Sequence, residues 1–323
     1  VDVLEDTYNM DPAHLKAAIT DIRANSDLTP KAIMAVDLFG QIADYPAITP
    51  IAKPAPKPTP IAPPKSMTIP DPLNLTPTPL TPREMQFART AWAYFEQNTH
   101  PVTGLVPSVR KFKSMTLWDE GGYVLALVSA YKLDIISRND AVNRLTTAIG
   151  SLAALPLYKG VMPNKAYNIE KLIMTDYANK PKPDGIGYSA LDIMRLMSGL
   201  LVAGQHFPEI FPLIQLVVQR WDLNALAMNQ RFAGVALLHK KYAKRVQEGR
   251  IGYEQYAGVT GKILGMDVEQ AYHYKPILRW HPYQNIHLPA DKRTKETHGV
   301  APVTTSEPFL MEALEYGWRA ESY

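Results

Sequence analysis

The stretch Tyr188-Ser-Ala-Leu-Asp192-Ile-Met-Arg195-Leu-Met-Ser-Gly-Leu-Leu-Val202 is apolar on nearly every side. The segment from Pro208 to Trp221, a few residues on, instead leaves Gln215, Gln219 and Arg220 together for solvent. A helix apolar all round must be surrounded by protein, whereas a striped one lies on a surface. The same pair occurs earlier in the chain. Tyr123 to Tyr131 is apolar almost all round, and Ser137-Arg-Asn-Asp140 then caps a helix striped with Val142, Leu145, Ile149 and Leu152. Before both, Thr81-Pro82-Arg83-Glu84 forms a capping box with proline at the first helical position. It opens a helix to about Gln97, with Met85, Ala88, Trp92 and Phe95 on one face. Further helices are expected from Tyr253 to about Leu264 and from Glu307 to Trp318. Surrounded and striped segments in alternation predict two concentric layers of helical hairpins: an all-α, α/α-toroid fold of the six-hairpin type. About seven helices follow residue 81, so the ring reads as short of closure unless N-terminal helices or further chain complete it. The connections 156–187, 222–252 and 266–304 are long, and long structured loops more often carry function.

Outward from this domain (81–323), residues 46–82 hold 13 of the 28 prolines. Pro54-Ala-Pro-Lys-Pro-Thr-Pro60 favours extended polyproline II, because each proline fixes its φ and lacks a donor. Residues 46–80 thus read as a semi-rigid linker. Residues 1–45 read as a small helical segment, with one helix opened by Asp11-Pro12 (Leu15, Ala18, Ile22) and one by Thr29-Pro30 (Ile33, Val36, Phe39). This segment is too small for a strong core, so it is expected either to pack on the main domain or to serve as a weak docking hairpin for an envelope protein partner. Net charge is +3 without long runs of one sign, which gives no basic face for nucleic acid. There is no cysteine, so thiol and disulfide chemistry is excluded. No apolar run is long enough to span a membrane. The chain begins at Val1, so the lack of a visible signal peptide does not count against export.

Four expected inner helices start with an acid beside aromatic or small residues: Trp118-Asp119-Glu120-Gly121, Tyr188-Ser189-Ala190-Leu191-Asp192, Tyr253-Glu254-Gln255-Tyr256 and Ser306-Glu307-Pro308. Glycoside hydrolysis needs a carboxylic acid to protonate the leaving oxygen, and a carboxylate to activate water or attack. Asp119, Glu120, Asp192, Glu254 and Glu307 are therefore the catalytic candidates. Trp118, Tyr123, Tyr188, Tyr253 and Tyr256 are candidate sugar-facing rings. In the turn-rich loop before residue 188, Asn164, Lys165 and Tyr167 are candidates for sugar hydroxyls. Arg195 is a further binding candidate, with Asp192 three residues before it as the expected ion-pair partner. A plainer explanation competes for every acid, since carboxylates in a first helical turn cap free amides and complement the dipole. Thr116-x-x-Asp119 and Ser189-x-x-Asp192 both have that form. His273, His281, His287 and His298 lack metal-ligand spacing, and no phosphate loop or nucleophile elbow appears, so neither metal nor cofactor is expected.

Several segments resemble one known family. They are Trp118-Asp119 with Gly122-Tyr123, Tyr158-x-Gly160 with Pro163-Asn164-Lys165-Ala166-Tyr167, and Gly187 to Asp192 with Arg195. Further on come Arg220-Trp221-Asp222-Leu223, Gly249 to Tyr256, Ser306-Glu307-Pro308 and Leu314-Glu315-Tyr316-Gly317-Trp318. Together they resemble the bacterial domain-of-unknown-function family three-one-three-one, described as glucoamylase-like. The resemblance implies an α/α toroid and an exported protein, periplasmic or secreted. Its relatives include enzymes acting on β-glucans. The expectation is a glycoside hydrolase acting on a bacterial β-glucan or exopolysaccharide. The alternative is a non-catalytic polysaccharide-binding or scaffold protein of envelope glycan export.

Overall fold

The computed structural model describes residues 78–238, 242–283, 286–298 and 304–317, together with Leu4, residues 10–30, Ile33, residues 44–48, Pro50 and Ile51. The chain divides into two compact units, residues 1–62 with 282–286, and 63–281 with 287–323. In the first, Asp11 caps helix α1 (Pro12–Asn25) through the amide of Ala13 at 2.7 Å. Leu15 of α1 packs with Ile48 of the one-turn α2 (Tyr45–Ile48), beside Met10, Ile19, Ile33 and Ile51. Residues 49 and 52–77 of the proline-rich linker, and most of the helix expected after Thr29-Pro30, lie outside the described residues; residues 46–48, read as linker, instead complete α2.

The second unit is built on the helices that the alternation predicts: α3 (Pro82–Asn98), α4 (Leu117–Lys132), α5 (Arg138–Ala154), α6 (Ala190–His206), α7 (Phe211–Val218), α8 (Tyr253–Ile263) and α11 (Glu307–Tyr316). Two one-turn helices, α9 (Glu269–Tyr272) and α10 (Lys295–His298), lie between the last two. The starts are set locally. The Thr81 hydroxyl accepts from the Glu84 amide at 3.3 Å, and the Glu84 carboxylate takes the Thr81 amide at 2.7 Å. Ser137 and Ser189 accept from the amides of Asp140 and Asp192. α4 packs against α6, α6 against α8, and α8 against α11, giving an inner row. α3 and α5 cover α4, and α7 lies on α5 and α6. On α6 eleven residues are buried, including Arg195, whereas α3 buries only Trp92. The surrounded-and-striped alternation therefore corresponds to real layers.

The all-α expectation needs one correction. The long connections fold into short antiparallel sheets, because they carry β-branched and aromatic residues between turn formers. β1 (Ser114–Met115), β4 (Ala166–Asn168) and β5 (Ile173–Thr175) make one sheet, in the order β1-β4-β5. β2 (Leu157–Tyr158) pairs with β3 (Met162–Pro163). β6 (Ala227–Met228), β7 (Arg231–Leu238) and β8 (Tyr242–Gln247) make a third, with Ala233 opposite Gln247. β9 (Leu278–Tyr283) pairs with β10 (Ile286–Asp291). β7 docks on the entrance to α6, where the Val235 amide donates to the Tyr188 carbonyl at 2.9 Å. Gly187, at φ +107°, makes this possible: a Cβ there would sit 2.2 Å from the Val235 carbonyl oxygen.

Candidate active site

The site forms where α4 and α6 begin. At the third position of α4, Asp119 spends one oxygen on capping. Its Oδ2 accepts from the Thr116 amide at 2.9 Å, from the Thr116 hydroxyl at 2.8 Å, and from the Ser108 hydroxyl. Its Oδ1 has no partner among the described residues. Asp192 holds the matching position on α6, half-buried, with the Ser189 hydroxyl as its hydrogen-bond partner and no ion pair among the described residues. Desolvation pushes its carboxyl up to about 7, and the charges of Glu248 and Asp119 add to this, while Ser189 and Lys165 oppose it.

Glu248 is the acid that sequence reasoning missed. It follows β8 and reaches back to α6, where its Oε2 accepts from the free amide of Ala190. Gly234 leaves the necessary space, since a Cβ there would lie 2.4 Å from that oxygen. Burial raises the Glu248 carboxyl, opposed by Lys165 and by the amides that open α6. Lys165 thus faces both Asp192 and Glu248. Two phenols complete the electrostatic surround. Tyr177, whose ring is largely exposed, has its hydroxyl raised by burial and then by Asp192 and Glu248. Tyr253 is raised to about 12, chiefly by burial and then by Glu307, with Asp192 contributing. Its hydroxyl donates to Glu307 at 3.0 Å, and its ring meets Trp118 edge-on at 5.2 Å. Of the sequence candidates, Trp118, Asp119, Lys165, Asp192, Tyr253 and Glu307 therefore fall together, joined by Glu248 and Tyr177.

The others are placed elsewhere. Glu254 is fully buried and bound by two cations, Arg293 at 2.6 Å and Arg231 at 3.3 Å, with Gln247 donating at 3.1 Å. Asp291 holds Arg293 from the other side at 2.7 Å. A carboxylate so enclosed has no face for a substrate and is reassigned to structure. Glu120, in the first turn of α4, is fully buried. One of its oxygens accepts from the Val106 amide at 3.3 Å, the other has no partner among the described residues, and burial raises it to about 8. Tyr123 is a core ring stacked on Phe95 at 5.4 Å. Asn164 pins the loop by donating to the carbonyls of Ala166 and Thr175 and accepting from the Ile186 amide. Tyr167 is buried, donates to the Pro156 carbonyl at 2.8 Å and accepts from the Asn164 amide at 2.6 Å. Tyr188 is buried against Tyr158 and donates to the Ala225 carbonyl. Arg195 pairs with Glu315 of α11 at 2.6 Å, not with Asp192, and Tyr256 hydrogen-bonds the same carboxylate at 2.6 Å. These residues are spent inside the protein because packing and buried hydrogen bonds claimed them first.

Glu248 left a faint trace in the sequence. It directly precedes the Gly249-Arg250-Ile251-Gly252 turn, at the end of an alternating strand. At a strand end it looks like an ordinary solvated acid, and only the docking of β7 on α6 brings it to the site.

No curated protein matches the chain. Among solved structures, the endo-β-1,2-glucanase from Chitinophaga pinensis aligns at TM-score 0.47 and 14% identity, over 68% of this chain and 57% of that one. A proposed glucoamylase from Bacteroides uniformis aligns at 0.49 and 15% identity, over 68% and 57%. The chain spans little more than half the length of either structure, and both likenesses are too loose to assign activity. The DegT/DnrJ/EryC1/StrS aminotransferase family matches residues 1–55 alone, too short a stretch to establish membership. The match that covers most of the chain, residues 86–323, is to the family described as Protein of unknown function (DUF3131), and the chain belongs to that family.

Proposed function

We propose that the protein is a glycan-active enzyme, a glycoside hydrolase acting on a bacterial β-glucan or exopolysaccharide. One observation carries this reading. Asp192 is a half-buried carboxyl without an ion pair among the described residues, raised to about 7, beside Glu248 and with the hydroxyls of Tyr177 and Tyr253 in its field. A general acid needs a proton near neutrality, and burial beside like charge supplies it. Asp192 then protonates the leaving glycosidic oxygen. Glu248, steadied by Lys165 and the opening amides of α6, supplies the carboxylate that activates water or attacks. Trp118 and Tyr253 give faces for a sugar ring and exclude water. We further propose that the helical layers belong to an α/α toroid, and that the protein works in the periplasm or outside the cell, as the family resemblance implies.

The test is turnover on a panel of β-glucans, β-1,2-glucan among them, and exopolysaccharides. Asp192→Asn and Glu248→Gln should each lower turnover by about 10²–10⁴-fold. Unchanged turnover in both would remove this pair. The anomer of the first product separates retention from inversion. A second reading, non-catalytic glycan binding, draws on the capping contacts of Asp119 and Glu248. It predicts a wild-type protein that binds but does not cleave, with binding preserved in Asp192→Asn.

A further inference from the structure

We propose that Arg195 is a positioning residue of this site, buried beneath the Trp118 indole and holding it as the floor on which a sugar stacks. The proposal rests on the glycan reading only for what stacks there. Four inner helices converge on this side chain. Gly121 of α4 lies against its backbone, and a Cβ there would sit 2.7 Å from the Arg195 carbonyl oxygen. Only glycine lets α4 settle so closely on α6. That approach carries Trp118, one turn earlier, over the guanidinium, whose Cζ is 5.6 Å from the indole centroid and 5.4 Å from that of Tyr256 on α8. From α11, both oxygens of Glu315 accept from Arg195 Nη1, at 2.6 and 2.7 Å. The Tyr256 hydroxyl accepts from the same nitrogen and lies 3.1 Å from the Ser198 hydroxyl.

Arg195 is 8% exposed and its charge is met by Glu315, so it offers nothing to a ligand directly. Trp118 is half-buried and packs edge-on against Tyr253, whose hydroxyl lies in the field of Asp192. A cation attracts the face of an indole, more strongly when both are desolvated. Its anchored guanidinium plane sets the tilt of that indole next to the carboxylates. Losing the cation leaves the ring free to change tilt while the acids stay in place. The expected signature is weaker binding with the chemical step intact.

The experiment uses the full chain labelled with 5-fluorotryptophan. Of the five tryptophans, Trp118 is identified by the ¹⁹F signal lost in Trp118→Phe. Arg195→Met should shift and broaden that signal, and Arg195→Lys, which keeps a cation, should hold it near the wild-type position. Affinity for β-1,2-gluco-oligosaccharides should fall about tenfold in Arg195→Met, with the loss in KM rather than kcat where cleavage is measured. A Trp118 signal unmoved in folded Arg195→Met overturns the proposal, as does a loss confined to kcat. Should Arg195→Met fail to fold, Glu315→Gln serves: a shifted Trp118 signal supports the proposal and an unmoved one overturns it. If the wild-type protein fails to bind the oligosaccharide, the glycan reading is damaged, and the ¹⁹F comparison alone decides the role of Arg195.

Discussion

Asp119 and Asp192 occupy the same position in the first turns of their helices, yet their surroundings separate them. Asp119 is used by three donors through one oxygen, while Asp192 meets Glu248 and holds its proton to about 7. If Asp192 is the acid and Glu248 the carboxylate, turnover should fall about tenfold per unit above that pH and fall again at lower pH, where Glu248 takes up a proton. The pH–rate profile of the wild-type protein checks this, and Asp192→Glu should move the basic limb. Glu120 gives a cleaner case because it touches no substrate. Its carboxyl is raised from 4.5 to about 8, chiefly by burial. Between those values the folded chain keeps a proton that the unfolded chain releases, so stability falls as pH rises through the window. Glu120→Gln keeps the shape and removes that proton exchange. The midpoint of thermal unfolding should then fall less steeply from pH 5 to 8, by about one proton's worth of slope. That Glu120 is core and Asp119 is not was illegible in the sequence. Adjacent residues on one helix face different directions, and only the packed loop at Val106 shows which one is enclosed.

The helices themselves were legible, because caps and apolar periodicity are local. Thr81, Thr116, Ser137 and Ser189 all start helices as the sequence suggests. The strands hidden in the long connections were not, since β2 to β5 are only two or three residues each and make sense only once paired. The close seam between α4 and α6 was equally hidden. Gly121 and Gly199 face across it, with a Cβ on Gly199 reaching 2.9 Å from the Gly121 carbonyl oxygen. Gly121→Ala should therefore cost about 1–3 kcal/mol by chemical denaturation and weaken ligand binding through Trp118. The pairing of Glu254 was beyond sequence reach for a different reason: Arg231 opens β7 and Arg293 follows β10, both far from Glu254 in sequence. Glu254→Gln leaves Arg293 short of a buried counter-charge. It should destabilise the fold by about 3–5 kcal/mol, while turnover per folded molecule changes far less than in Asp192→Asn.

Across the molecule, Glu120, Asp192 and Glu248 all hold carboxyls raised by burial. For Glu120 and Asp192 the folded chain keeps protons that the unfolded chain releases, so the unfolding midpoint should decline from pH 5 toward pH 8. A midpoint that stays flat over this range would show these groups to be ionised in the folded state. The helical layers and the chemistry also reach the site by separate routes. Asp119 and Asp192 are welded into the frame, but Glu248 arrives on the β7–β8 hairpin through a docking made of Gly187, Val235 and Gly234. The hairpin's two ends, Arg231 and Gln247, are tied to Glu254 of α8, so Glu248 is aimed at Asp192 by the same contacts that fasten the hairpin to the helices.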